Sequence, residues 1–262
     1  MCSSDLPGTG ALLSEGLAQT VTGASAYAWI NSNLYAEFGL YRQNSESFLH
    51  SMGVDTDGAN TLRGSAPYWR LAYQGSGGAN SFHVGAFGLS GNIYPEGDRS
   101  TGQSDRYTDI GIDASIQRSM NANALAFNAR LVRETQNLAA SEALGDATNA
   151  SGRLTEFVGS GSYFWHNTYG GTVGLFRTTG TGDELRYADN RTNKPNSSGY
   201  TLELNWTPFA DGGRSFSPYV NLRVGLQYTG YTRFDGARTD YDGNGRNASD
   251  NNTTRLYTWL TF

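Results

Sequence analysis

Apolar and polar residues alternate with period two over several long segments of this chain. From Tyr107 to Gln117, Ile110, Ile112, Ala114 and Ile116 fall on one face, and Asp109, Asp113 and Gln117 on the other. From Ala124 to Glu134, Leu125, Phe127, Ala129 and Leu131 oppose Asn128, Arg130 and Glu134, and from Tyr219 to Tyr228, Val220, Leu222, Val224 and Leu226 oppose Asn221, Arg223 and Gln227. Such alternation marks strands whose two faces meet different surroundings. Extending it along the chain predicts eleven strands, at 20–30, 33–42, 66–74, 81–94, 105–119, 123–136, 153–165, 168–179, 198–208, 217–234 and 252–262.

The connections carry a second pattern. Short links at 31–32, 75–80, 120–123, 166–167 and 210–216 alternate with long ones at 43–65, 95–104, 137–152, 180–197 and 235–251. Transmembrane barrels place short turns on the periplasmic side and long loops outside, whereas a soluble sandwich has no reason to segregate loop lengths. A helical span needs about 20 consecutive apolar residues. The longest charge-free stretch, Gly16 to Ala36, is broken by Gln19, Thr20, Thr22, Asn31, Ser32 and Asn33. The fold class expected is therefore all-β, an antiparallel up-and-down transmembrane β-barrel in a bacterial outer membrane, with lipid as its surroundings.

The terminal RLYTWLTF ends on Phe262 and resembles the closing strand of bacterial outer-membrane barrels, which implies a periplasmic end for that strand. Trp29, Trp165, Trp206 and Trp259 then fall near periplasmic strand ends, while Trp69 follows a long loop; with Phe262 they are the expected membrane-interface aromatics. Tyr41, Tyr94, Tyr231 and Phe234 fall near the opposite ends. Such barrels have an even strand count with both termini periplasmic, so eleven strands imply at least one missing N-terminal strand, with residues 7–19 as the remnant of an extracellular loop.

Composition narrows the function classes. A formal charge of -5 and the lack of a basic run exclude a phosphate-tracking nucleic-acid binder. The single cysteine, Cys2, excludes an internal disulfide and a cysteine cluster for zinc or iron–sulfur. The opening MCSSDL is what a sequencing-adapter end encodes when read from a GTG start, so residues 1–6 are set aside as a scar and 7–262 are read as one barrel domain.

The blocks TGASAYAWINSNLYAEFGLYR, APYWRLAYQ, DRYTDIGIDASIQ, RVGLQYTGYTRFDGA and YDGNGRNASDNNTTRLYTWLTF resemble the barrel region of proteobacterial fused cytochrome-porins, proteins often labelled cytochrome c. The resemblance covers most of residues 9–262. It implies a barrel that shelters a haem-bearing N-terminal segment, passes electrons across the outer membrane and exchanges them with periplasmic carriers. The CxxCH of that family has no match here, so haem c is expected on a missing segment and no haem-binding residue transfers. The alternative is a passive diffusion porin for small solutes or ions.

The expected pore-lining set is Glu37, Arg70, His83, Asp109, Asp113, Arg130, Glu134, Glu156, Glu203 and Arg223. A lumen with both signs either sets ion selectivity or fills a narrow barrel with cross-strand pairs. Asp240, Asp242, Asn244 and Gly245 match the first half of a calcium loop, but its closing Glu is replaced by Asn251, so a turn is the simpler expectation. His50, His83 and His166 are too dispersed for a local metal site. The chain has no G-x-S-x-G, no H-x-x-E-H and no evident Ser/His/Asp grouping, so it is expected not to be an enzyme.

Overall fold

A computed structural model of the chain describes residues 10–17, 20–210 and 220–261. The predicted starts of two strands, at 20 and 217, and Phe262 at the end of a third bear differently on it. Position 20 is a turn residue, whereas 217 and Phe262 lie outside the described residues, as do Cys2 and the whole of 1–6. The strands are β1 (Val21–Ile30), β2 (Leu34–Gln43), β3 (Thr61–Arg63), β4 (Ser65–Gly77), β5 (Asn80–Tyr94), β6 (Asp105–Met120), β7 (Asn123–Asn137), β8 (Ser151–Trp165), β9 (Tyr169–Gly180), β10 (Ser197–Trp206), β11 (Asn221–Arg233) and β12 (Thr253–Thr261).

Every strand but β3 pairs antiparallel with its sequence neighbours in one up-and-down sheet, β1-β2-β4-β5-β6-β7-β8-β9-β10-β11-β12. β3 pairs with β5 from inside the first long loop, where only a loop was expected. Two short helices also lie in long loops, α1 (Glu46–Ser51) and α2 (Ala139–Leu144). At the other rim the turns are tight. Asn31 and Ser32 take the left-handed conformation, with φ of 50° and 60°, which matches the twist of a two-strand hairpin.

Outward positions carry a band of large apolar side chains that runs from strand to strand. Ile110 is 59% exposed, Leu175 57% and Leu204 66%. A water-soluble monomer does not leave such a band uncovered, whereas lipid covers it without cost and the strand ladder satisfies every backbone group between neighbours. Among the described residues no helix is long and apolar enough to cross a membrane. The inward face carries the polar and charged residues, so the sheet has the sidedness of a membrane-spanning barrel.

The sheet curls around residues 11–16, which include a π-helical turn at Leu12–Gly16. Leu12 packs with Leu62, Ala66, Leu89 and Ile93, and Ala11 with Phe87, Val132 and Leu154, so this short segment links side chains from β3 through β8. The expectation of an extracellular loop remnant at 7–19 needs correcting for the described part. Residues 10–17 lie at the long-loop end but fold into the lumen. Among the described residues β1 and β12 do not pair with one another. Both run from the long-loop end to the short-link end and are therefore parallel.

Candidate lumenal site

The register places all ten expected pore-lining residues on the inward face. Glu37 is opposite Arg70, Asp109 opposite Glu134, and Asp113 opposite Arg130. Glu156 is opposite the inward Val132, Glu203 opposite the inward Gln227, and His83 opposite Ser115. Arg223 shares its face with Trp259. Directly opposed residues in an antiparallel pair point the same way, so one inward residue on each strand orients the rest.

Three groupings arise. At the long-loop end, Asp109, Glu134 and Glu156 take the backbone of the lumenal segment. Leu13 N–H donates to Asp109 Oδ2 at 2.7 Å, Leu12 N–H to Glu134 Oε2 at 2.6 Å and Ala11 N–H to Glu156 Oε2 at 3.4 Å. Ser14 Oγ donates to Glu156 Oε1 at 2.9 Å, and Arg130 pairs with the same oxygen. All three carboxylate residues are buried. The first N–H groups of a helical turn have no intrahelical acceptor, and three strand-borne carboxylates supply them. Among the described residues Asp109 Oδ1 meets no N–H or hydroxyl donor, and the Asp109 carboxyl lies against that of Glu134.

Nearer the middle of the sheet, Arg70 Nη1 lies 2.7 Å from Asp113 Oδ2, and Arg70 Nη2 donates to Asp113 Oδ1 at 3.0 Å. This bridge spans the intervening β5 at Gly85. A Cβ there would lie 2.7 Å from Asp113 Oδ1, so a side chain would obstruct the bridge. Ser115 Oγ and His83 Nδ1 are 2.8 Å apart, and His83 Nε2 is 3.9 Å from Asp113 Oδ1. β5 and β6 thus place a Ser, a His and an Asp from separate parts of the sequence on one face near the middle of the sheet. Asp113 is engaged by Arg70, however, and 3.9 Å exceeds hydrogen-bond reach. A cavity of about 260 Å³ adjoins His83 and Ser115, lined also by Gln74, Ser81 and Gln117.

The third grouping joins β10, β11 and β12. Arg223 donates to Asn205 Oδ1 at 2.8 Å and to Glu203 Oε1 at 3.0 Å, while Tyr257 Oη lies 2.8 Å from that Glu203 oxygen.

The aromatics divide by face. Trp69, Trp165 and Trp206 lie on the outward face and are exposed there. Trp29 and Trp259 need correction as membrane-interface residues. Trp29 is opposite Tyr35 and shares a cavity lining with Arg70 and His83, while Trp259 is opposite Arg223, so both face inward. The cause is register. Their edge strands carry apolar residues on both faces, Ala26, Ala28 and Ile30 beside Tyr27 and Trp29, so alternation alone does not choose a side. Tyr41 also lies inward, against the cluster around Leu12.

Loop chemistry adds residues that alternation does not reveal. Asp105 accepts the N–H groups of Ala140 and Ser141 at 2.8 and 3.0 Å, anchoring α2. Arg186, from the loop between β9 and β10, reaches Gln136 Oε1 at 3.5 Å and Tyr107 Oη at 3.4 Å, beside a cavity of about 400 Å³ that also touches Leu12 and Glu134. At the calcium-like loop, Asp240 accepts Gly245 N–H, and Asp242 accepts Asn244 and Arg246 N–H, so a local turn uses these oxygens. The backbone N–H groups of Asn244 and Arg246 outweigh burial there and hold the Asp242 carboxyl below its ordinary range.

Among the described residues no group of three or more His, Cys, Asp or Glu is placed to hold a metal ion. His50 bonds Thr56 beside α1, His166 lies in the β8–β9 turn, and His83 faces the lumen. The three imidazoles lie in three separate parts of the chain.

No family model matches the chain, and no curated protein matches it. Among solved structures, the chain is similar to in-vitro folded OmpT, an outer membrane protein of Vibrio cholerae, with a TM-score of 0.46 and 9% identity. The alignment covers 99% of this chain and 74% of that one.

Proposed function

We propose that this chain is the barrel portion of an outer-membrane cytochrome-porin, whose wall surrounds a polypeptide segment and insulates electron transfer across the membrane. The clamp is the observation that carries this reading. Asp109, Glu134 and Glu156 accept backbone N–H groups of residues 11–13, so part of the inner face is made to hold a peptide. The outward apolar band supports placement in a membrane, and the segregated loop lengths support the outer membrane.

In this reading haem c rides on a segment beyond the described residues and supplies the redox chemistry, with periplasmic carriers as electron partners. The residues described here supply wall, orientation and water exclusion. Expression of the complete reading frame with haem-attachment machinery tests the proposal. Covalent haem should co-purify from the outer-membrane fraction with a barrel of heat-modifiable electrophoretic migration. A complete frame with barrel strands and no CxxCH removes the electron-transfer reading.

The cavity beside His83 and Ser115, together with the two-sign inner face, favours a second reading, a diffusion porin. Liposomes containing the haem-free protein would then swell in small neutral solutes, whereas a sheathing barrel would leave them closed.

A further inference from the structure

At the short-link end of the lumen two aromatic rings stand on the inward face. Trp29 on β1 and Tyr35 on β2 are directly opposed, with ring centroids 5.0 Å apart, and Trp29 is 49% exposed. Tyr35 is fixed by its hydroxyl, which donates to Glu37 Oε2 at 2.8 Å. Water against an aromatic face is unfavourable, and lipid cannot relieve it on this side of the sheet. The two rings wall a cavity of about 230 Å³ that reaches Arg70, Gln74 and His83. The cavity of about 260 Å³ at Ser115 shares Gln74 and His83 with it, so the two adjoin. The recess is aromatic on one side and polar on the other.

The polar side narrows the ligand. Among the described residues Arg70 is the one Lys, Arg, Asp or Glu in either lining, and Asp113 neutralises it through both oxygens. An ion therefore finds no uncompensated charge to pair with there. The Gln74 amide and the Ser115 hydroxyl each donate and accept, and His83 adds a second ring nitrogen beyond the one on Ser115. A pyranose suits both sides, because its C–H groups form an apolar face for an aromatic ring and its hydroxyls donate and accept without charge. We infer that Trp29, Tyr35 and Gln74, with Arg70, His83 and Ser115 around them, form a lumenal subsite for a neutral saccharide, one ring face laid against Trp29. The inference goes beyond both readings above. It rests on the barrel for its lumenal position and not on the haem.

Radiolabelled maltose is the probe, and the full chain refolded in a detergent without a sugar headgroup is the preparation. Equilibrium dialysis should show saturable maltose binding. Sorbitol, which has hydroxyls but no ring face, should compete about tenfold less well than unlabelled maltose. Trp29→Ala should weaken binding by about tenfold or more, whereas Trp29→Phe, which keeps an aromatic face, should stay within about threefold of the parent. Trp206→Ala, which removes an outward ring on β10, should leave binding unchanged. Heat-modifiable migration of each variant checks that its barrel is folded. A folded parent that binds no maltose, or an affinity that is the same with and without the Trp29 ring, would overturn the site alone. A chain whose migration is unaltered by heating would overturn the barrel reading and the site with it.

Discussion

Asp183 holds two loops with one carboxylate. Burial pushes its carboxyl up, but the N–H groups of Arg186, Thr148 and Asn149, with the Asn149 amide, outweigh burial and hold it at about 2. A depressed carboxyl contributes stability above its unfolded value near 3.8, and that contribution fades as pH falls from about 4 toward 2. Amide exchange at 145–150 and 181–187 should therefore quicken over that window, and Asp183→Asn should flatten the pH dependence. A parent protein with no acid-induced change in those loops would remove Asp183 as their tie. Arg130 makes a comparable case inside the lumen. Its Glu156 partner has a side chain only 5% exposed, whereas Arg130 is 35% exposed, so solvent discounts the pair. Arg130→Met should cost roughly 1–3 kcal/mol in detergent unfolding by urea, and adding Glu156→Gln should recover part of it.

Among the elements, the ones alternation could reveal were those with lipid on one face and the lumen on the other. β6 and β7 show this most clearly, because Ile110 and Ile112 face outward while Asp109 and Asp113 face inward. α1, α2 and β3 lie in loops, where no two-sided environment imposes a period, and the backbone of the segment at 10–17 is held by hydrogen bonds to carboxylates more than ninety residues away in sequence. The two-sign lumen was legible as a set of residues. Its division into a peptide clamp, the Arg70–Asp113 bridge and the Glu203–Arg223 pair required register, which the alternation of a single strand does not contain. α2 shows the cost of such hidden partners. Its N-terminal N–H groups rest on Asp105, which is fully buried at the start of β6. Asp105→Ala should leave those donors unpaired, cost about 1–3 kcal/mol and expose 138–150 to protease while β6 stays paired. Unchanged cleavage there would show that α2 is held by its apolar contacts instead.

At the scale of the whole molecule, sidedness determines what a charge does, and two substitutions separate lipid from lumen. Ile112 lies near the middle of β6 on the outward face and is 56% exposed, while Asn128 lies on the inward face of β7 opposite Ser115. Both are exposed positions, so a soluble sheet would accept arginine at either with a change within about 0.5 kcal/mol. In a bilayer the two differ. Ile112→Arg brings a charge into hydrocarbon and should cost about 2–4 kcal/mol, whereas an arginine at position 128 enters a polar space already holding His83 and Ser115. Urea unfolding of each variant in lipid vesicles, followed by tryptophan fluorescence, measures the difference. Equal small costs would mean that the outward face does not meet lipid. A large cost confined to Ile112→Arg would place the hydrocarbon on the Ile110–Ile112 side of the sheet and the lumen on the side that holds Asn128.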